Sequence, residues 1–182
     1  RKLSKKTNFT NGFGKFGTRN QIINNVNEQF GDAVDLFMEK YSEGLDKIFR
    51  EDKDFRNISK MTVFMEYFGE NSFAGFHKED DKKDVVIFDI MKYKKGWIKP
   101  KDFIKKFNHL EIPKVIYQGN LNKEFINKVK KGYFNLNEGV VCKGVRKTKG
   151  QDIVWMVKCK TDKWIQKVKG KYGQNAIDDD YI

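Results

Sequence analysis

The stretch that most constrains the fold is residues 138–160, EGVVCKGVRKTKGQDIVWMVKCK, in which two apolar runs carry regularly placed charges. Alternate positions in the second run form two sets. One set is Ile153, Trp155, Val157 and Cys159, and the other is Val154, Met156, Lys158 and Lys160. A period of two residues is typical of a β-strand with two different faces. We therefore predict a hairpin on which Lys158 and Lys160 project side by side, with residues 146–150 as its loop.

Glu138 opens the first predicted strand and brings a carboxylate to the same small sheet as the two amines. Two neighbouring amines can hold a phosphate group. Alternating lysines on a strand are also typical of a solvated face, so the pattern alone leaves both interpretations open.

Charge and composition narrow the classes of protein to consider. The formal net charge is +12, and residues 138–171 hold 10 Lys or Arg against 3 Asp or Glu. A concentrated basic surface favours phosphate polymers. A lysine-rich composition from an AT-rich genome would also explain the whole-chain charge, but it explains the local clustering less well.

The same composition argues against membrane, disulfide-rich and zinc proteins. No apolar run approaches the roughly 18 residues that span a bilayer. Cys142 and Cys159 fall in the predicted strands without metal-ligand spacing, so we expect reduced thiols and no zinc. We expect a cytoplasmic, monomeric protein that does not bind membranes, and a viral or phage source stays open.

Helical periodicity appears in four places. Apolar residues recur every three or four positions across residues 32–50, which predicts a long amphipathic helix. Shorter helices are predicted after Pro100, over residues 122–131, and after Thr161 as N-cap. Strands are predicted over residues 61–69, 84–90 and 115–117, and two more within residues 1–20, with a turn near residues 11–12.

The two halves of the hairpin resemble the last two nucleotidyltransferase motifs of ATP-dependent polynucleotide ligases and mRNA capping enzymes. Those motifs are an EG-V-V-x-K string and a K-x-K strand, and here 20 positions separate Glu138 from Lys158. The resemblance implies that Lys158 and Lys160 are catalytic and contact the nucleotide phosphates. It also places Glu138 at the nucleotide and at a metal ion, and Lys143 beside the pocket.

Two strings near the amino terminus extend the resemblance. GTRN at residues 17–20 resembles the motif that follows the nucleophile, which implies that Arg19 contacts a phosphate or an RNA end. The string from Lys6 to Asn11 resembles the nucleophile motif of RNA ligases and makes Lys6 the candidate nucleophile, although Phe9 stands where the family has glycine. Alternatively, the nucleophile precedes Arg1.

The remaining motif concerns the nucleoside. Glu66 lies within the apolar run MTVFMEYFG and resembles the glutamate that accepts hydrogen bonds from the ribose. Phe88 resembles the aromatic residue that stacks on the base. The alternatives are a Glu66 that faces water from an edge strand and a Phe88 that belongs to the core.

Together, five strings in the family's order resemble the nucleotidyltransferase domain of ATP-dependent RNA ligases. The fold implied is α+β, with antiparallel β-sheets flanked by helices in an ATP-grasp-like ligase adenylation domain. This domain would cover residues 1–171, and the acidic tail 172–182 would link it to a further domain.

The resemblance also implies the cofactors and the reaction. ATP and Mg²⁺ (or Mn²⁺) would be the cofactors, and nicked or broken RNA would be the partner in RNA repair. The chain would form lysyl-AMP and transfer AMP to a polynucleotide 5′-phosphate. An ATP-dependent DNA ligase, a GTP-using capping guanylyltransferase and a catalytically dead basic nucleic-acid-binding module remain as alternatives.

Overall fold

The computed structural model describes residues 12–70 and 80–176. The first part contains β1 (Phe16–Gly17), β2 (Ile22–Ile23), α1 (Gly31–Glu51) and β3 (Met61–Phe68). After residue 80 follow β4 (Asp84–Lys92), β5 (Gly96–Trp97), α2 (Pro100–Phe107), α3 (Lys123–Lys130), β6 (Gly139–Thr148), β7 (Gln151–Lys160) and α4 (Asp162–Tyr172).

The strands form small antiparallel sheets. In the described residues β1 pairs with β2, β3 with β4 and β4 with β5, while β6 and β7 form a separate two-stranded ladder. The predicted α+β class with antiparallel sheets and helices is therefore confirmed. The ligase adenylation fold, and with it the single domain over residues 1–171, stays a prediction.

The chain divides into two compact units, which we call unit 1 (up to Pro113) and unit 2 (from Lys114). Each unit has its own cluster of buried apolar residues.

Helix α1 supplies much of the core of unit 1. Its buried residues Phe37, Tyr41, Leu45 and Phe49 recur every four positions, so they form one stripe on the helix. Gly44 lies in the middle of α1, and the helix runs through it without interruption. A Cβ atom at Gly44 would lie 2.9 Å from a methyl group of Leu110, so the glycine gives that side chain room.

The sheet of unit 1 has one face on this core and one face turned away from it. Met61 of β3 and Val85, Ile87 and Ile90 of β4 are buried in the core cluster. Phe64 pairs with Asp89 and Met65 with Ile87, which leaves Phe88 as the extra residue of a β-bulge.

In unit 2, helix α3 packs against the base of the β6–β7 hairpin. Phe125 and Val129 of α3 form a buried cluster with Cys159, and Val140 and Cys142 of β6 pack against it. Both cysteines are free thiols, as the sequence predicts, and burial raises the pKa of each.

The hairpin closes in a tighter turn than the sequence predicts. Thr148 pairs with Gln151, so the five-residue loop expected at 146–150 is wrong and only Lys149 and Gly150 connect the strands. Their φ angles are 50° and 77°, which is the pair of positive values that a type I′ hairpin turn requires. The basic residues at the start of the expected loop therefore belong to β6 and lie within the ladder.

Two further predictions differ from the structure. Residues 115–117 belong to no strand, because Tyr117 packs its ring on Phe125 of α3 and the segment has no ladder partner. The described turn near the amino terminus joins β1 to β2 over residues 18–21, whereas the turn predicted near residues 11–12 involves residue 11, which lies outside the described residues.

None of the helices in the described residues combines the length and the hydrophobicity needed to cross a bilayer.

Two glycines of unit 2 give a test of this backbone. Gly150 has a φ of +77° and Gly170 lies in α4, and a Cβ at either position would meet no atom within 4 Å. We expect Gly150→Ala to destabilise the protein by about 1 kcal/mol, because an alanine resists positive φ. We expect Gly170→Ala to stabilise it by about 0.5–1 kcal/mol through helix propensity. Urea denaturation of both variants measures the sign of each change in the free energy of unfolding. Equal changes in the two variants would contradict the turn geometry.

Candidate functional site

The base of the β6–β7 hairpin joins Glu138 to Lys160. Gly139 pairs with Lys160, and the Glu138 carbonyl accepts a hydrogen bond of 2.9 Å from the Thr161 N–H. A Cβ at Gly139 would lie 2.1 Å from the Cys159 carbonyl oxygen, so only glycine allows the two strands to approach this closely. The backbone thus holds Glu138 directly opposite the end of β7.

Lys160 is buried at this point and is paired on two sides. Its ammonium group forms an ion pair with the Glu138 carboxylate and lies 4.5 Å from the centre of the Trp164 ring. Lys160 is only 7% exposed. A buried ammonium needs such partners, because removing it from water is costly.

Helix α4 keeps the indole in place over Lys160. Thr161 is the N-cap, and its hydroxyl oxygen accepts a hydrogen bond of 3.2 Å from the Trp164 N–H. The helix therefore begins immediately after β7, and Trp164 falls within its first turn. The sequence predicted the cap but not the contact, although a four-residue spacing from Lys160 to Trp164 across a helix start is a usable signal.

Lys158 and Lys143 lie on the same face of the hairpin as Lys160. Lys158 pairs with Val141, and Lys143 pairs with Met156 one step further along the ladder. Residues two apart on a strand share a face and lie roughly 7 Å apart. The two lysines share a face, as the alternation predicts, but Lys158 is exposed whereas Lys160 is buried in its ion pair.

In unit 1, Glu66 and Phe88 lie on the sheet face that is turned away from the core. Glu66 pairs with Val86, and Phe88 follows two residues later on the same strand. Their shared face also carries Phe64 and Trp97, whose ring centres are 4.8 Å apart, while the Phe64 and Phe88 centres are 6.4 Å apart. The sequence singled out Phe88 but not this aromatic cluster, which the alternation of Phe64 with Glu66 could have revealed.

Glu66 is an exposed residue of β3, which lies at the edge of the sheet in the described part of the chain. An exposed carboxylate at this position is compatible with both alternatives, so the ribose contact stays a prediction. Phe88 is half-buried and is not part of the buried core cluster.

The other predicted residues lie at the amino-terminal end. Arg19 is exposed in the turn between β1 and β2, which is closed by a 2.9 Å hydrogen bond from the Thr18 N–H to the Gln21 carbonyl. Lys6 lies outside the described residues. Arg19, Glu66 and Phe88 thus belong to unit 1, and the hairpin residues belong to unit 2. Their convergence on one cleft stays a prediction.

A divalent ion would have few protein ligands here. Among residues 12–70 and 80–176, no group of three or more His, Cys, Asp and Glu side chains could hold a metal. The Glu138 side chain is 35% exposed, and its Oε1 atom is the one that pairs with Lys160. A hard cation fits beside this carboxylate if phosphate and water supply its remaining oxygen ligands, as is common for Mg²⁺.

Two open depressions of about 440 Å³ and 560 Å³ lie on unit 1. The first is lined by residues that include Asp32, Glu70 and Lys83, and the second by residues that include Asp52 and Lys106. Among the described residues that line these depressions, none is a predicted site residue.

Because Lys160 is buried and Glu138 is partly exposed, we expect their removal to change the free energy of unfolding by different amounts. Glu138→Ala takes the carboxylate from a buried ammonium, so we expect a loss of about 2–3 kcal/mol in the free energy of unfolding. Lys160→Met leaves a carboxylate that water can reach, so we expect a loss of about 1 kcal/mol or less.

Urea denaturation measures both losses. The exposed pair of Lys128 with Glu124 is the matched control, and Glu124→Ala should cost less than about 0.5 kcal/mol. Equal losses in Glu138→Ala and Lys160→Met would contradict the buried position of the ammonium.

Comparisons with known proteins give no further assignment, since no protein-family model, no curated protein and no solved structure matches this chain.

Proposed function

We propose that this chain carries the nucleotidyltransferase activity of an ATP-dependent RNA ligase. The observation that supports the proposal is the arrangement on the β6–β7 hairpin, where Glu138 faces Lys160 and where Lys143 and Lys158 share a face with Lys160. One acid and three amines on a two-stranded ladder are suited to binding a nucleoside triphosphate together with a cation.

The chemical step needs a lysine nucleophile, for which Lys6 is the candidate. Its neutral amine attacks the α-phosphorus of ATP, a P–N bond forms, the bond to pyrophosphate breaks, and the amine proton passes to solvent. AMP then passes from the lysine to an RNA 5′-phosphate. Finally, a 3′-hydroxyl attacks the activated phosphate, and AMP leaves as the strands are joined.

The two lysines at the end of β7 would contribute differently. Lys158 is exposed and can reach a phosphate, where its charge offsets the negative charge that develops on the transferred group. Lys160 is fixed between a carboxylate and an indole, so it supplies positive charge from a position set before substrate binds. A Mg²⁺ ion beside Glu138 would supply further charge stabilisation when bound.

Unit 1 would supply the nucleoside contacts. The exposed Glu66 carboxylate can accept hydrogen bonds from ribose hydroxyls. The aromatic cluster of Phe64, Phe88 and Trp97 offers flat rings against which a base can stack.

A basic nucleic-acid-binding module is the second candidate. The ion pair of Lys160 with Glu138 favours it, because the carboxylate already offsets the charge of this lysine.

Transfer of label from [α-³²P]ATP to the protein tests the proposal, with [α-³²P]GTP in a parallel reaction. We expect label from ATP with Mg²⁺ or Mn²⁺, and loss of at least about 100-fold in Lys158→Ala, because removing a charge that stabilises the transition state has effects of this size. Unfolding of this variant should be unchanged, since Lys158 is exposed.

The matched control is Lys147→Ala, which removes an exposed lysine from the far end of the same hairpin and should retain activity. Label from GTP alone would favour a capping guanylyltransferase. RNA binding without any label transfer would favour the binding module and overturn the proposal. Joining of nicked DNA but not RNA would favour a DNA ligase.

A further inference from the structure

Four aromatic rings of unit 2, one of them from α3, contact one another in a row. Tyr117 stacks on Phe125 with ring centres 4.5 Å apart and planes at 22°. Phe125 contacts Phe134 at 5.6 Å, and Phe134 contacts Tyr133 at 5.4 Å with planes at 84°. Phe125 is buried, while the rings at the two ends are exposed, Tyr117 at 46% and Tyr133 at 74%.

The Tyr117 ring is held in place although its segment forms no regular structure. One face of the ring lies on Phe125, and a Cβ at Gly119 would come within 2.2 Å of the Tyr117 hydroxyl oxygen. Glycine at position 119 thus lets the tyrosine lie against the backbone. An exposed ring that is already fixed loses little conformational freedom when a second flat group stacks on it.

Lys128 of α3 places a positive charge beside the exposed Tyr133 ring. Its ammonium group is 5.7 Å from the centre of the Tyr133 ring and 2.7 Å from the Glu124 carboxylate. The Glu124 carboxylate is the main cause that raises the pKa of Lys128, and the Tyr133 and Tyr117 hydroxyls also contribute. The pair with Glu124 is exposed, so a phosphate can replace the carboxylate at small cost.

The charge of the surrounding unit indicates which kind of partner fits. From residue 114 onwards the chain holds 15 Lys or Arg against 7 Asp or Glu. Lys114, Lys123 and Lys131 are exposed near this row of rings in the sequence. A polyanion with flat rings matches such a surface, whereas an acidic peptide would match only its charge.

We propose that Tyr117, Lys128 and Tyr133 form a stacking surface for single-stranded nucleic acid. Bases would stack on the two exposed tyrosines, and a phosphate between them would contact Lys128. A duplex fits less well, because its bases are already stacked on one another. The inference extends the proposed function by assigning the surface that holds a strand, and it rests on unit 2 alone.

Fluorescence anisotropy with a labelled 12-nucleotide RNA, without ATP or metal, tests this surface. We expect Tyr133→Ala to weaken binding about 10-fold through the loss of one stacked base, and Tyr133→Phe to bind like the wild type. Tyr117→Leu keeps the apolar packing on Phe125 and should weaken binding to a similar extent. Lys128→Gln should lower the slope of log affinity against log salt by about 0.7, whereas Tyr133→Ala leaves the slope unchanged.

The matched control is Tyr93→Ala. Tyr93 is 49% exposed and also lies beside lysines, since the ammonium groups of Lys94 and Lys60 are 5.4 Å and 6.0 Å from its ring centre, but it belongs to unit 1. Its loss should leave RNA affinity unchanged. Wild-type affinity in both Tyr133→Ala and Tyr117→Leu would overturn the proposal, as would equal weakening in Tyr93→Ala or equally strong binding of an RNA duplex of the same length.

Single-stranded DNA of the same sequence separates recognition of bases from recognition of the 2′-hydroxyl, and the proposal expects the tyrosine variants to weaken both strands. The result is independent of adenylylation. RNA binding that depends on the tyrosines, without label transfer, would support this surface and contradict the ligase. Label transfer together with wild-type RNA affinity in the tyrosine variants would support the ligase and contradict this surface.

Discussion

The close approach of β6 to β7 at Gly139 is the constraint on which the arrangement of unit 2 depends. A side chain at this position would collide with the Cys159 carbonyl, and the strands would have to separate. That separation would move Glu138 away from Lys160 and disturb the hydrogen bond from Thr161 that begins α4. A single glycine therefore connects the ladder, the buried ion pair and the start of the last helix.

The lysines of unit 2 are present in three different states, although their sequence contexts look alike. Lys160 is buried in an ion pair under an indole, Lys158 is exposed on the same strand, and Lys128 forms an exposed pair beside two tyrosines. The net charge of the chain does not distinguish these three lysines. Burial distinguishes them, because a desolvated ammonium is fixed by its partners while an exposed one remains available to phosphate.

Much of the local structure could be predicted because local patterns determine it. The four-residue recurrence in α1, the alternation in β7 and the Thr161 cap each depend on neighbours in the sequence. The burial of Lys160 could not be predicted in this way, because alternation assigns a side chain to a face but does not show what covers that face. The missing strand at residues 115–117 has the same origin, since three apolar residues form a strand only where another strand pairs with them. The exposure of Glu66 likewise depends on β3 lying at the edge of its sheet, which is a tertiary property.

The bulge at Phe88 determines which side chains of β4 can meet those of β3. Beyond the extra residue, every pair in the ladder is offset by one position, so Asp89 rather than Phe88 stands opposite Phe64. Ile87 stands opposite Met65 and Ile90 opposite Val63, so both isoleucines face the core although they are three positions apart in the sequence. In a regular strand, residues three positions apart point to opposite faces. The bulge thus allows one aromatic ring to point outward while the apolar residues on both sides of it stay in the interior.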